Sequence, residues 1–461
     1  MQKRNFILLI IILVLVVIGV FIFLYFQNGE VEESEGINFI ARFNPFASST
    51  PKPGTGTTPV DVSGYEPGDE ETTKLKLMKV SSMPVAGYTV FAKERFKEIP
   101  PETSINKNEE DDLENELSNL DIETLDEETE VVEKKTPLVK PTPPATEFAP
   151  ALRYVARATG NIYQTFVDKI EEKKFSNTTV PKVYEALLGN SGESVVMRYL
   201  KEDGVTIETF VGTLPKEYLG GDITGENEIK GTFLPQNIKD ISILPNSSKI
   251  FYLFEIGESM IGTTLNLVDN KKVQVFDSVF TEWSPQWENE KTILLSTKPS
   301  GGVSGYTYSL DLIKKNLTKV LGEINGLTTL GSPDGKSILY TDNGLLLSVY
   351  STDSRNSSAL GLRTLPEKCV FGGIGNFIYC AVPKSVDIGL YPDIWYQGEV
   401  SFSDQFWKID IETGNATLLI DPSTVSGGEE IDGIKLSLDK EENYLFFVNK
   451  KDSFLWELNL R

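Results

Sequence analysis

The sequence predicts an all-β fold: a seven-bladed β-propeller closed by an N-terminal strand and preceded by one transmembrane helix. Three observations predict it. A turn-plus-strand pattern, clearest at Ser332–Thr341, recurs along the chain. The last repeat is one strand short, while a spare strand stands ahead of the first. An apolar run without a charge fills Phe6–Phe26.

That run, FILLIIILVLVVIGVFIFLYF, is long enough as a helix to cross a hydrocarbon core of about 30 Å. A cleaved signal peptide is the rival reading. It would want a shorter apolar region and a small-residue cleavage site, and Tyr25-Phe26-Gln27-Asn28 offers none. Lys3 and Arg4 precede the run, and Glu30, Glu32, Glu33 and Glu35 follow it. The positive-inside rule then predicts a single-pass cell-membrane protein with a cytoplasmic N-terminus and everything after Gln27 outside.

The expected organisation is an anchor at 1–26, a flexible linker at 27–73 and a propeller at 74–461. The linker is rich in Pro, Gly, Ser and Thr and cannot bury enough apolar surface to fold alone. One patch within it, Ile37, Phe39, Ile40, Phe43 and Phe46, suits either the membrane interface or the folded domain.

The repeat carries the fold. In Ser332-Pro333-Asp334-Gly335, Pro presets φ for a turn, and Asp and Gly accept the dihedrals that follow. Ser337–Thr341 then reads as a buried strand. Related stretches begin at Leu188, Leu244, Trp283, Phe371 and Leu438, a period that suits four-stranded blades. A seventh blade is expected at the front from Gly87–Phe91, Leu152–Ala158 and Gly160–Phe166. Leu75–Val80 is the spare strand. Set beside Phe454–Leu460, it completes the last blade and covers an edge that a sheet must otherwise protect.

The Ser332–Tyr340 pattern resembles the repeat of TolB-like propellers, relatives of WD-repeat proteins by architecture. Asn177–Leu187, Met197–Leu200 and Tyr391–Gly398 are similar to stretches of uncharacterised single-span propeller proteins of bacterial candidate phyla. The resemblance implies a fold and brings no activity.

Two insertions stand out. The first, 93–150, falls between the first two strands of blade one and is expected to stay largely disordered. Residues 109–133 hold 13 acids and no base. A solvated loop, a dock for a basic partner and a weak calcium site are the readings; no D-x-[DN]-x-[DN]-G loop is present. The second, 383–404 in blade six, lies on the opposite face. It offers Tyr391, Asp393, Trp395, Tyr396 and Gln397 as candidate binding residues. Either this loop binds a ligand or its aromatic residues plug the channel.

Cys369 and Cys380 are the two cysteines, and pairing Gly372 with Phe377 sets them directly opposite. A cross-strand disulfide or a buried thiol pair follows, and no metal site.

The net charge of −23 opposes binding to nucleic acid. With no histidine, Ser-His-Asp, Cys-His and His-ligated metal chemistry are excluded. The leading expectation is a non-catalytic module binding an extracytoplasmic protein or glycan, with no cofactor. The alternative is a carbohydrate-active enzyme using channel carboxylates, with Asp387, Asp393 and Asp404 suspected. A pyrroloquinoline quinone enzyme ranks last, since the tryptophans do not recur once per blade.

Overall fold

The computed structural model describes residues 77–97, 144–219, 228–245, 247–287, 289–373, 375–425 and 428–461. The predicted span at 6–26, the linker at 27–73 and most of the acidic insertion lie outside them. Among the described residues, no helix is long and apolar enough to cross a membrane.

Seven four-stranded antiparallel sheets form the blades of a propeller. The first strands of the blades are Val85–Phe96, Val183–Gly189, Asp240–Ile243, Trp283–Gln286, Thr328–Gly331, Cys369–Phe371 and Gly433–Leu438. Among the described residues, each pairs only with the second strand of its blade, so its other edge is left to the channel. The seventh blade has three strands of its own, and Leu77–Lys79 supplies the fourth. Leu77 lies opposite Leu458, Met78 opposite Glu457 and Lys79 opposite Trp456.

The core is a set of apolar layers between neighbouring blades. Val155 and Ile162 of blade one pack with Val183, Val195 and Met197 of blade two. Phe251 and Met260 of blade three pack with Trp283 and Leu295 of blade four. Val85, Leu152 and Tyr154 of blade one meet Tyr444, Phe446 and Leu455 of blade seven, with Val80 between them. Packing therefore closes the ring as well as strand pairing. Gly87 shows how closely the first two blades approach: a Cβ there would collide with the Ala186 carbonyl.

The repeated turn joins the first and second strands. Ser332 Oγ donates to Asp334 Oδ1 at 2.6 Å, and Asp334 Oδ1 accepts from Lys336 N at 3.0 Å. Ser332 Oγ also accepts from Ser337 N at 2.9 Å, and Gly335 takes φ +72°. These local bonds let a short motif specify a turn without help from distant chain.

Two boundaries differ from expectation. Ser284-Pro285 resembles the turn motif but lies within the first strand of blade four, with Pro285 opposite Leu295. Pro is tolerated because a first strand has one unpaired edge, where a missing N–H costs no ladder bond. The acidic insertion is narrower than 93–150. Lys93–Phe96 and Thr146–Ala149 are paired strand, because the blade-one hairpin runs on past the other turns.

The topology separates two faces. The loops joining first to second and third to fourth strands share the turn face. The chain enters Leu77 there, and the 97–145 insertion leaves from it. Loops joining second to third strands share the opposite face with the connections between blades. The blade-six insertion, 384–403, is on that side and is called the lid below.

Cys369 faces Cys380 in the blade-six ladder, and the two are disulfide-bonded with Cα atoms 4.1 Å apart.

Candidate functional site

The propeller channel has two different ends. At the lid end, a four-residue helix, Asp393–Tyr396, is set by contacts to several blades. Asp393 Oδ2 accepts from Gly301 N of blade four at 2.6 Å. Trp395 Nε1 donates to Asp432 Oδ2 of blade seven at 3.0 Å, and Lys450 Nζ donates to the Trp395 carbonyl at 2.6 Å. The Tyr396 hydroxyl donates to Glu367 of blade six. Tyr391 and Trp395 both lie near-parallel to Phe402, with ring centroids 5.9 and 6.2 Å away.

Tyr391 and Trp395 are each 2% exposed, whereas Tyr396 is 44% exposed. Gln397 is exposed too. Of the five residues selected from sequence, Tyr391 and Trp395 are thus lid core, Asp393 pins the lid to blade four, and Tyr396 and Gln397 keep accessible faces. Pairing each aromatic ring with Phe402 satisfies the apolar surface that composition alone would assign to a partner.

Beneath the lid lies a buried ionic triad. Lys368 Nζ donates to Asp404 Oδ2 at 2.7 Å and to Asp432, with all three side chains at 0% exposure. Asp432 also accepts from Ser401 Oγ and Phe402 N, each at 3.0 Å, so one carboxylate organises the helix and the C-terminal end of the lid. Asp404 accepts from Gly433 N at 2.7 Å. Burial pushes Asp404 up to about 6, with Lys368 opposing. Burial also opposes ionisation of Asp432, but the Lys368 charge and the converging donors outweigh it and hold its pKa low.

The suspected acids do not converge. Asp404 is sealed under the lid, Asp393 is engaged by Gly301, and Asp387 is exposed. Different acids take that place. Arg198 Nη1 donates to Glu185 at 2.5 Å and Nη2 to the Ile238 carbonyl at 2.6 Å. Asp240 stands beside this pair at the start of the first strand of blade three. Burial pushes Asp240 up to about 6, and the Glu185 charge adds to the shift. The Asp240 charge also reaches Tyr396, whose hydroxyl is held neutral mainly by burial. Lys435, in left-handed backbone at φ +53°, donates to the Ala86 carbonyl at 2.9 Å. It is exposed, yet desolvation by surrounding chain lowers its pKa, as on a channel wall. Sequence reading missed Glu185, Asp240 and Lys435. The one available signal was a charged residue near the start of a first strand.

Among the described residues, the turn-face end is open. A cavity of about 1050 Å³ is walled by the first strands of blades one, five, six and seven. Val90, Phe91, Leu330, Val370, Leu436 and Leu438 line it. Phe148, from the extended hairpin, stands at its edge and is 73% exposed. Asp439, Lys440, Glu441, Glu442 and Arg461 supply the charged groups of the wall. Glu442 is engaged by Gly373 N at 2.7 Å and the Tyr379 hydroxyl at 3.1 Å, whereas Glu441 is exposed. Among the described residues, no cluster of three or more Cys, Asp or Glu is arranged to hold a metal.

The chain is a seven-bladed propeller, with a lid on one face and an apolar mouth on the other. No protein-family model matches it, and no curated protein does. Solved structures give low-scoring likenesses. An oligogalacturonate lyase from Vibrio parahaemolyticus has a TM-score of 0.45 at 7% identity, covering 68% of this chain and 86% of that one. An oligogalacturonate lyase in complex with manganese scores 0.43 at 10% identity, covering 68% and 85%. TolB from Acinetobacter baumannii scores 0.37 at 10% identity, covering 56% and 59%. The blade count rests on this chain's own sheets.

Proposed function

We propose that this protein is a membrane-anchored, extracytoplasmic propeller that binds a protein partner without catalysis, holding it near the membrane surface. The observation that carries the reading is the asymmetry of the channel. The lid is pinned across one end, while among the described residues the other opens as a cavity of binding-site size with an apolar wall. The charge-free run at 6–26, with Lys3 and Arg4 ahead of it, supports the anchor and its direction. Tyr396 and Gln397 keep accessible faces, but on the lid side, away from this mouth.

Photo-crosslinking in cells tests this reading. A benzoyl-phenylalanine at Phe148 is expected to give discrete adducts, and one at the exposed Ile388 on the lid face is not. An alkaline phosphatase fused after Arg461 is expected to be active, as it is only outside the cytoplasm. An inactive fusion, or adducts from Ile388 alone, overturns the reading.

A second reading, a carbohydrate-active enzyme, draws on one observation: Asp240, pushed up to about 6, stands beside the Arg198-bound Glu185. Glycoside hydrolysis uses two neighbouring carboxylates, one of them held protonated by burial. It requires hydrolysis of an oligosaccharide with an alkaline limb near pH 6 that Asp240→Asn removes. Activity indifferent to that substitution eliminates Asp240 as the acid.

A further inference from the structure

The seam between blades four and five differs from the other six. Among the described residues, each of those is filled by at least nine buried apolar side chains. Here three are buried: Leu321, Leu327 and Ile338. Hydroxyls close the inner part of the seam instead. Ser296 Oγ lies 2.8 Å from Thr307 Oγ1 and, across the seam, 2.9 Å from Thr329 Oγ1. The outer part is a cleft of about 400 Å³, a volume in the range of small-molecule sites.

Strand register decides what the cleft offers. Leu294, Ser309 and Thr318 lie opposite one another across blade four, and Leu294 packs toward blade five. Alternation along a strand turns Val320 the same way as Thr318. On blade five Ile338 lies opposite Tyr350. The floor is therefore apolar, made of Leu294, Val320 and Ile338, and hydroxyls stand on the walls. Those of Ser309, Thr318 and Tyr350 have no hydrogen-bond partner among the described residues. Asn289 Oδ1 accepts from Lys291 N, Thr292 N and Thr292 Oγ1, each at 3.0 Å. These bonds fix the amide and leave Nδ2 directed at Gly335, where a Cβ would lie 3.2 Å away.

The charge of the cleft is opposite to that of the chain. Its described lining has two cations, Lys319 and Arg355, and no carboxylate. Lys319 meets Glu323 at 3.3 Å, whereas Arg355 is exposed and has no ion pair among the described residues. Asp334 and Asp353 do not line the cleft. The Asp334 carboxylate accepts from Ser332 Oγ and faces Gly375 of blade six, 3.8 Å from where a Cβ would stand. Salt limits the reach of the net charge of −23 to about 8 Å, so the local guanidinium sets the preference of the cleft.

We infer that the cleft between blades four and five is a binding site for a saccharide that bears a carboxylate. One face of the sugar ring rests on Leu294, Val320 and Ile338. Its hydroxyls pair with those of Ser309, Thr318 and Tyr350 and with the Asn289 amide. Arg355 takes the carboxylate, whose two oxygens match its planar fork of donors. An apolar ligand would leave the wall hydroxyls and the amide unpaired, which costs affinity. A phosphate dianion would call for more than one free cation. The site lies off the channel, so it stands or falls apart from the binding-module reading.

The test is a titration of the full chain in nanodiscs with a panel of short oligosaccharides. Some end in glucuronate or sialate, others are the same chains with neutral ends, and hexose 6-phosphates complete the panel. At least one carboxylated member is expected to bind about tenfold or more tighter than its neutral counterpart. Arg355→Ala is expected to remove that preference, and Arg355→Lys to restore it only in part, because an ammonium has no planar fork. Thr318→Trp, at an exposed position of the outer strand, fills the cleft and is expected to abolish binding. The variants must keep the melting temperature of the parent; Ser309→Leu replaces Thr318→Trp if that variant unfolds. Binding of no carboxylated member overturns the inference, as does equal binding of the neutral chains or a preference for the phosphates. Binding indifferent to Arg355→Ala or to the filled cleft overturns it too.

Discussion

Replacing Lys368 by Met is expected to destabilise the propeller by about 3–5 kcal/mol, the cost of removing one partner from a buried ionic group. Asp404 and Asp432 would be left facing each other at 0% exposure with no cation between them. The substitution keeps most of the volume, so the loss reports charge and hydrogen bonding rather than a cavity. Denaturant unfolding at several pH values checks it. Burial has already raised Asp404 from 3.8 to about 6, and removing Lys368 raises it further. A carboxyl whose folded pKa lies above its unfolded value contributes stability at low pH and loses it as pH rises through the folded pKa. The deficit of Lys368→Met is therefore expected to be largest above about pH 6 and smaller at pH 5. Equal deficits at both would show that Asp404 and Asp432 do not share the strain. An Asp432→Ala variant as stable as the parent would likewise remove Asp432 as the organiser of the lid.

Deleting residues 77–80 is expected to open the ring. Leu77 and Val80 are 7% and 3% exposed, and at about 1.5–3 kcal/mol for each buried side chain their loss alone costs several kcal/mol. The deletion also bares the edge of Leu455–Asn459, with a row of unpaired N–H and C=O groups that invites pairing between molecules. A melting temperature lower by more than about 5 °C, with light scattering rising at the transition, is the expected result. Leu77→Asp, which keeps the backbone, should show the packing part without the exposed edge. An unchanged melting temperature for the deletion would mean that three strands suffice in blade seven.

What the sequence made legible was local or countable. The Ser332–Ser337 turn could be read because its bonds span five residues, and similar turns could be matched along the chain. The Cys369–Cys380 pair followed from the register of one hairpin. The closing strand followed from a strand missing at one end and spare at the other. The polar sites were hidden for the opposite reason. Lys368 meets Asp404 and Asp432 across 36 and 64 residues, and no periodicity reports such a pairing. Glu185 and Asp240 come together where two separate blades abut. The aromatic loop was visible as composition, but not which of its rings would turn inward, since that depends on the position of Phe402. Ser284-Pro285 was misleading because an unpaired strand edge tolerates the same dipeptide as a turn.

The seam at Leu77 also has a mechanical meaning. Residues ahead of Leu77 lead straight into the strand that completes the ring, and three residue pairs with Leu458, Glu457 and Trp456 hold it there. On the proposed membrane anchor, a pull from the N-terminal side would load that short ladder first, in shear when the force runs along the strand. The ladder would pass the load to blade seven while it holds and to blade one through Val80–Val85 once it gives way, so the strength of such an attachment and the integrity of the ring are tied together.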